Sequence, residues 1–178
     1  TSIYIPEGVT EILMNAFYNC SKLESITIPK NICSISTDAF LFCTSLKAVT
    51  VDIDNSYYSD IDGVLFNKDH TSIIICPNNK DSEYTIPDQV ISIGDYAFYG
   101  CSKLESITLP ESITSIGGDA FRSCSSLKSI TIPKNVISIG RYAFFACYSF
   151  TSISLPQNLT TVSESLFYNC NNLTSIYI

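Results

Sequence analysis

The sequence predicts a β-rich solenoid of short coils stacked along one parallel sheet. Three observations predict it: prolines at a fixed interval, an alternating apolar doublet closing each interval, and a phenylalanine–cysteine block in its middle. Pro6, Pro29, Pro87, Pro110, Pro133 and Pro156 are separated by 23, 58, 23, 23 and 23 residues, and 58 is 23 plus 35. After five leading residues, the chain divides without remainder into coils 6–28, 29–51, 52–86, 87–109, 110–132, 133–155 and 156–178, a single array. A period of this length is the mark of a solenoid.

The elements follow slot by slot. In the first coil the recurring positions are Pro6, Val9, Ile12, Ala16-Phe17, Cys20, Leu23, Ile26 and Ile28. The closing doublet Ile26-x-Ile28 returns as Val49-x-Val51, Ile107-x-Leu109, Ile130-x-Ile132, Ile153-x-Leu155 and Ile176-x-Ile178, an alternation that predicts a strand with one buried face. Val9 to Ile12 predicts a second short extended segment. In Ala16-Phe17-x-x-Cys20-x-x-Leu23 the apolar residues lie three apart, which predicts one or two turns of α- or 3₁₀-helix. The inward apolar groups of one coil return less than the cost of ordering its backbone, so coils fold only by stacking. At about 4.8 Å per coil the array predicts a rod or shallow arc about 30 to 35 Å long.

The segment Leu23-x-x-Ile26-x-Ile28 matches the leucine-rich-repeat signature. With the following proline and the Ala-Phe-x-x-Cys block, the chain resembles the BspA-like (Treponema-type) leucine-rich repeats along its whole length. Within the 35-residue coil, Asp62-Gly63-Val64-Leu65-Phe66-Asn67-Lys68-Asp69 followed by Ile73-Ile74-Ile75-Cys76-Pro77 resembles a hairpin-bearing variant coil of that family. The resemblance implies a right-handed β-rich superhelix, the leucine-rich-repeat solenoid, together with a cell-surface or secreted location and adhesion or matrix binding. One slot departs from the general repeat: the Asn that follows the strand is present as Asn31, Asn135 and Asn158 but replaced by Gly8, Gln89 and Ser112. The bend there must find other backbone partners.

Composition narrows the function. Ten basic against seventeen acidic residues give a net charge of −7, with no basic cluster, which argues against nucleic acid and anionic membranes as partners. No continuous apolar run is long enough for a membrane-spanning helix, so membrane insertion is not expected. Thr1-Ser2-Ile3-Tyr4-Ile5 returns almost unchanged as Thr174-Ser175-Ile176-Tyr177-Ile178. The chain thus starts and stops in the same phase, with no signal peptide and no polar cap, and reads as a monomeric segment of a longer protein.

Catalytic, cofactor and metal sites are not expected. His70 is the only histidine, in a polar stretch where a hairpin turn belongs, and no nucleophile, phosphate-loop or zinc motif is present. Six cysteines, Cys20, Cys43, Cys101, Cys124, Cys147 and Cys170, share one slot. Equivalent slots lie about 5 Å apart, too far for a disulfide, so they read as buried thiols acting as small hydrophobes. Cys33 and Cys76 lie outside the ladder, and a bridge between them stays open at this point. The acidic stretch Asp52-Ile53-Asp54-Asn55 and Asp60-Ile61-Asp62-Gly63 lacks EF-hand spacing and reads as a solvated turn, with calcium the alternative. Asn19, Asn158 and Asn172 open glycosylation sequons compatible with secretion.

Two exposed faces remain as binding candidates for a protein or glycan ligand. One is the outward row of the main strand, Tyr4, Thr27, Thr50, Thr108, Thr131, Ser154 and Tyr177, small and hydroxylated. The other is the loop edge at the Phe block, with Tyr18, Phe42, Tyr99, Arg122, Phe145 and Tyr168. Ser and Thr are also ordinary occupants of a solvated sheet, and some of the aromatic residues have an alternative role as cover for the core. The sequence therefore predicts a surface scaffold for adhesion or protein or glycan binding, with a structural spacer as the alternative.

Overall fold

A computed structural model describes residues 2–177. In chain order its strands are β1 (Ser2–Ile3), β2 (Glu11–Ile12), β3 (Ser25–Ile28), β4 (Ser34–Ile35), β5 (Ala48–Val51), β6 (Tyr58–Ile61), β7 (Val64–Asn67) and β8 (Ser72–Ile75). They continue as β9 (Glu83–Thr85), β10 (Ser92–Ile93), β11 (Ser106–Thr108), β12 (Ser115–Ile116), β13 (Ser138–Ile139), β14 (Ser152–Ser154) and β15 (Ser175–Tyr177). The chain is a solenoid, and equivalent strands of successive coils pair in parallel: Ile3 lies beside Ile26, Ile26 beside Val49, Ile93 beside Ile116, and Ile153 beside Ile176.

Each coil has two strand positions. The closing doublets form the main row, β1-β3-β5, β9-β11 and β14-β15, with a bridge from Thr131 to Ser154. The short segments before the Phe block form the second row, β2-β4 and β8-β10-β12-β13. The predicted extended segment Val9–Ile12 is thus a strand only at its end, because the amide of Val9 closes a turn on the carbonyl of Pro6.

The Phe block is not helical. Its amides alternate between two kinds of partner. Those of Ala16, Tyr18 and Cys20 close four-residue turns onto Leu13, Asn15 and Phe17, while those of Phe17 and Asn19 reach the carbonyls of Ala39 and Leu41 one coil away. The pattern repeats from coil 87–109 onward, as in Phe98 to Ala120 and Phe121 to Ala143. An α-helix, about 10 Å across and satisfied internally, would neither fit between coils about 4.8 Å apart nor bond to them. The flattened path needs left-handed residues just before the Ala and Cys slots: Asn15 and Asn19, Asp119 and Ser123, Tyr142 and Ala146, and Ser165 and Asn169 all have φ between 51° and 61°. The residue spacing of three suited a helix, but tertiary bonding overrides it.

The 35-residue coil carries a hairpin, β6-β7, that continues antiparallel into β8. Its tip lies against the main row: Gly63 has φ +76°, its carbonyl accepts the amide of Val49, and a Cβ there would strike Ala48. The main row is therefore interrupted after β5 rather than forming the single sheet the repeat predicts. The core divides at the same place. Leu65 and Ile75 belong to the cluster that includes Ile26, Phe40 and Val49, whereas Val64, Phe66, Ile73 and Cys76 belong to the cluster built on Phe98, Phe121 and Phe144. Parallel phenyl stacks follow the same division, with centroids 5.1 Å apart for Phe17–Phe40 and 5.0 and 5.5 Å for Phe98–Phe121–Phe144.

Side-chain amides knit the bends. Asn31, Asn135 and Asn158 donate to the carbonyls of Glu7, Glu111 and Lys134 in the preceding coil, and Ser112 replaces them by donating to Asp88 and Val90. Asn55 overturns the reading of its acidic stretch as simply solvated. It is fully buried, donates to the carbonyls of Pro29 and Ile32 at 2.8 and 2.9 Å, and accepts the amides of Tyr57 and Tyr58, both at 2.8 Å. Asn55→Ala removes the partner of four backbone groups, that of Ile32 buried and the others part-buried, and should cost about 3 kcal/mol, whereas Asn31→Ala, at an exposed site, should cost about 1 kcal/mol. Urea denaturation of the two variants checks the difference, and equal losses would contradict it.

Candidate functional site

The loop edge gathers all six predicted residues into one column. Tyr18 and Phe42 meet edge to face at 5.2 Å, Phe42 meets Tyr99 at 5.5 Å, Arg122 lies over Tyr99 and Phe145 at 5.8 and 4.3 Å, and Phe145 stacks on Tyr168 at 5.2 Å. Five of them occupy the position after the Phe slot. In coil 29–51 that position is Leu41, and Phe42, left-handed at φ 63°, provides the ring instead. Coil 52–86 contributes no ring, yet the column closes over it. There Cys76 takes the Phe slot, its amide bonding the carbonyl of Ala97, Pro77 is buried, and the Asn78 side chain donates to the carbonyl of Tyr99.

Tyr18, Phe42 and Tyr168 are 50%, 40% and 58% exposed, while Tyr99, Arg122 and Phe145 are half-buried. Half of the edge is thus open to solvent and half packs against its neighbours. Sequence reasoning missed a second column, three residues earlier in each coil, that includes Tyr96, Asp119 and Tyr142. Tyr96 packs on Tyr99 and Tyr142 on Phe145, each at 5.9 Å. Between these two aromatic pairs, buried Asp119 holds Arg122 at 2.9 Å from Nη1. The signal was available: a spacing of three across a turn brings Tyr96/Tyr99, Asp119/Arg122 and Tyr142/Phe145 side by side. Burial raises the Tyr96 and Tyr99 hydroxyls above their ordinary range, keeping both as neutral donors.

The strand face is placed as expected but is less continuous. Tyr4, Thr27, Thr50, Thr108, Thr131, Ser154 and Tyr177 are all exposed, and the Thr27 and Thr50 hydroxyls bond each other at 3.0 Å. Thr85 joins the row beside Thr108, and the hairpin separates it from Thr50. On the second row, Gly94, Gly117 and Gly140 floor a shallow groove of about 500 Å³ edged by Ser92, Ser115 and Ser138. A Cβ at Gly140 would overlap the backbone of Gly117 and Gly118, so glycine there serves coil packing.

The remaining candidates are structural. Asp52 caps the amide of Asp54 and Asp60 that of Val51, at 2.9 and 2.7 Å. Among the described residues no three His, Cys, Asp or Glu side chains converge to hold a metal ion. His70 occupies the predicted turn, left-handed at φ 56° and half-buried against the edge of Phe66, while the neighbouring Lys68 ammonium is taken up by the carbonyls of Ile53 and Asn55. Asn19, Asn158 and Asn172 are exposed, and Asn172 donates to Tyr148.

All eight cysteines are free thiols, so Cys33 and Cys76 are not bridged; Cys33 is exposed while Cys76 is buried. The ladder cysteines do more than fill space. Cys43, Cys124, Cys147 and Cys170 donate S–H to the carbonyls of Phe17, Phe98, Phe121 and Phe144 in the preceding coil, at 3.1, 3.1, 3.2 and 3.0 Å. Burial pushes the Cys43 thiol up to about 11 and also raises Cys124. A folded-state value above the ordinary 9.0 means the unfolded chain loses its proton first, so this stabilisation is present below pH 9 and lost as pH rises through about 11. Urea midpoints should therefore fall between pH 9 and 11, and at pH 7.5 a thiol reagent should modify Cys33 well before the ladder. Rapid, equal modification of all eight would contradict this burial.

With this geometry in hand, the chain can be compared with known proteins. It matches the family described as BspA type leucine rich repeat region, in six copies over residues 1–82 and 76–178. No curated protein sequence matches it. Among solved structures it is similar to a leucine-rich repeat protein of Eubacterium ventriosum ATCC 27560, with TM-score 0.82 and 26% identity, covering 99% of this chain and 54% of that one. A leucine rich cell surface protein of Faecalibacterium prausnitzii A2-165 gives TM-score 0.71 and 28% identity, with coverage of 99% and 59%. The pneumococcal vaccine antigen PcpA gives 0.70 and 25%, with coverage of 98% and 56%. The chain spans little more than half the length of each of these three.

Proposed function

Since the chain belongs to the BspA-type leucine-rich repeat family, a family of repeat scaffolds, we propose that it is displayed at a cell surface and binds a protein partner along its aromatic edge. The observation that carries this reading is the unbroken column from Tyr18 to Tyr168. An apolar, arginine-bearing ridge of this kind has the composition of interface hot spots, in which Tyr and Arg are enriched. The surface placement draws on neighbours named as a leucine rich cell surface protein and a pneumococcal vaccine antigen.

Ring geometry favours protein over glycan. A sugar stacks on an open aromatic face, and Phe145 and Tyr168, 18° from parallel, cover each other's facing sides. The hydroxylated strand face is a weaker candidate because its hydroxyls also bond one another and the hairpin divides it.

The test is an array of matrix and cell-surface proteins probed with the chain and two variants. Tyr18→Ser/Phe42→Ser/Tyr168→Ser changes the three most exposed ring positions and should lower binding by about tenfold or more, while Thr27→Lys/Thr108→Lys on the strand face should leave it unchanged. Circular dichroism checks that both fold. Binding lost only in the strand-face variant would move the site there, and silence from well-folded wild-type protein would favour a spacer.

A further inference from the structure

The chain holds eight lysines spread along its length but only two arginines, and both lie on the aromatic edge, in adjacent coils and against one ring. The guanidinium carbons of Arg122 and Arg141 stand 5.9 and 5.8 Å from the centre of Tyr142. Arg122 also lies on Phe145 at 4.3 Å and gives Nη1 to Asp119, while its Nε is enclosed without a hydrogen-bond partner. Arg141 is exposed and, among the described residues, has no carboxylate within 4.0 Å, although Glu164 occupies the same slot one coil on. Guanidinium differs from ammonium in stacking flat on aromatic rings while presenting a planar donor fork matched to a carboxylate.

We infer that the partner offers a carboxylate side chain flanked by apolar residues, received at Tyr142 by the Arg141 guanidinium with Nη2 of Arg122 beside it. This rests on the protein-binding reading of the edge and specifies its chemistry. The rings exclude water around part of the Arg122 guanidinium, so a charge-assisted pair formed beside it gains more than one in open solvent. The net charge of −7 weighs against polyanions such as sulfated glycans, whose many charges the whole chain repels, but tolerates one carboxylate in an apolar setting. Asp119 preorganises the site by taking Nη1 and fixing Arg122 on Phe145, so the remaining Nη2 is held in place before the partner arrives.

The probe is a random peptide library displayed on phage, selected on the chain and depleted on the Tyr18→Ser/Phe42→Ser/Tyr168→Ser variant. Recovered peptides should share an Asp or Glu next to apolar residues. Arg141→Gln, an exposed change that leaves the fold intact, should weaken a resynthesised peptide about tenfold, as should Asp→Asn or Glu→Gln in the peptide. Combining the two should cost little more than either alone, the signature of a direct pair. Arg122→Lys keeps the charge beside Asp119 but loses the planar fork, and should also weaken binding. Edge-dependent peptides without an acidic residue, indifferent to Arg141→Gln, would overturn this inference and leave the binding edge standing. Recovery of no edge-dependent peptide would remove both, and Arg141-dependent capture on sulfated glycan beads with no peptide selected would overturn the protein partner.

Discussion

Backbone hydrogen bonding between neighbouring coils, at the spacing of paired strands, is the constraint from which the rest of this structure follows. Every coil must lie flat enough for its amides to reach the next. The strands meet this demand by pairing residue for residue, and the Phe block meets it by abandoning a helical path. Alternate amides there turn outward to the next coil, as from Phe17 to Ala39 and from Phe121 to Ala143. The side chains at fixed slots complete the same bonding. The Cys thiols donate to Phe carbonyls, Asn31, Asn135 and Asn158 donate across the bends, and Gly117 and Gly140 allow backbones to touch.

The hairpin coil sets this regularity aside. It inserts β6 and β7, interrupts the main row after β5, and sends Leu65 into one core cluster and Phe66 into the other. Such a seam would weaken a stack whose stability depends on nearest neighbours. Buried Asn55 compensates by tying the insertion to the coil before it through Pro29 and Ile32. On the opposite edge, Phe42 and Tyr99 close over the gap, so the surface column stays continuous where the core does not.

That continuity bears on function. The strand face repeats small hydroxylated residues from coil to coil, whereas the loop edge concentrates rings and both arginines on one side. A scaffold required only to hold distance has no need for such an asymmetry. The edge also pairs exposed rings with half-buried ones, so that Tyr18, Phe42 and Tyr168 are available while Tyr99 and Phe145 keep Arg122 in place.

The sequence by itself determined the solenoid, its period, the inward slots and the two exposed columns, because each coil repeats the same local pattern and parallel stacking turns a slot into a row. The alignment of Tyr18 with Phe145 and Tyr168 was legible for that reason. Tertiary structure decided what a local pattern cannot carry. Spacing of three in Ala16-Phe17-x-x-Cys20 fits helix and successive turns alike, and only bonding to the next coil selects the turns. Asn55 looks like a turn residue until the coil that supplies its partners is in place. The Cys slot looks like a simple apolar position until the Phe carbonyl of the preceding coil lies within reach. Arg122 and Arg141 meet at Tyr142 only because stacking places residues from adjacent coils about one strand spacing apart.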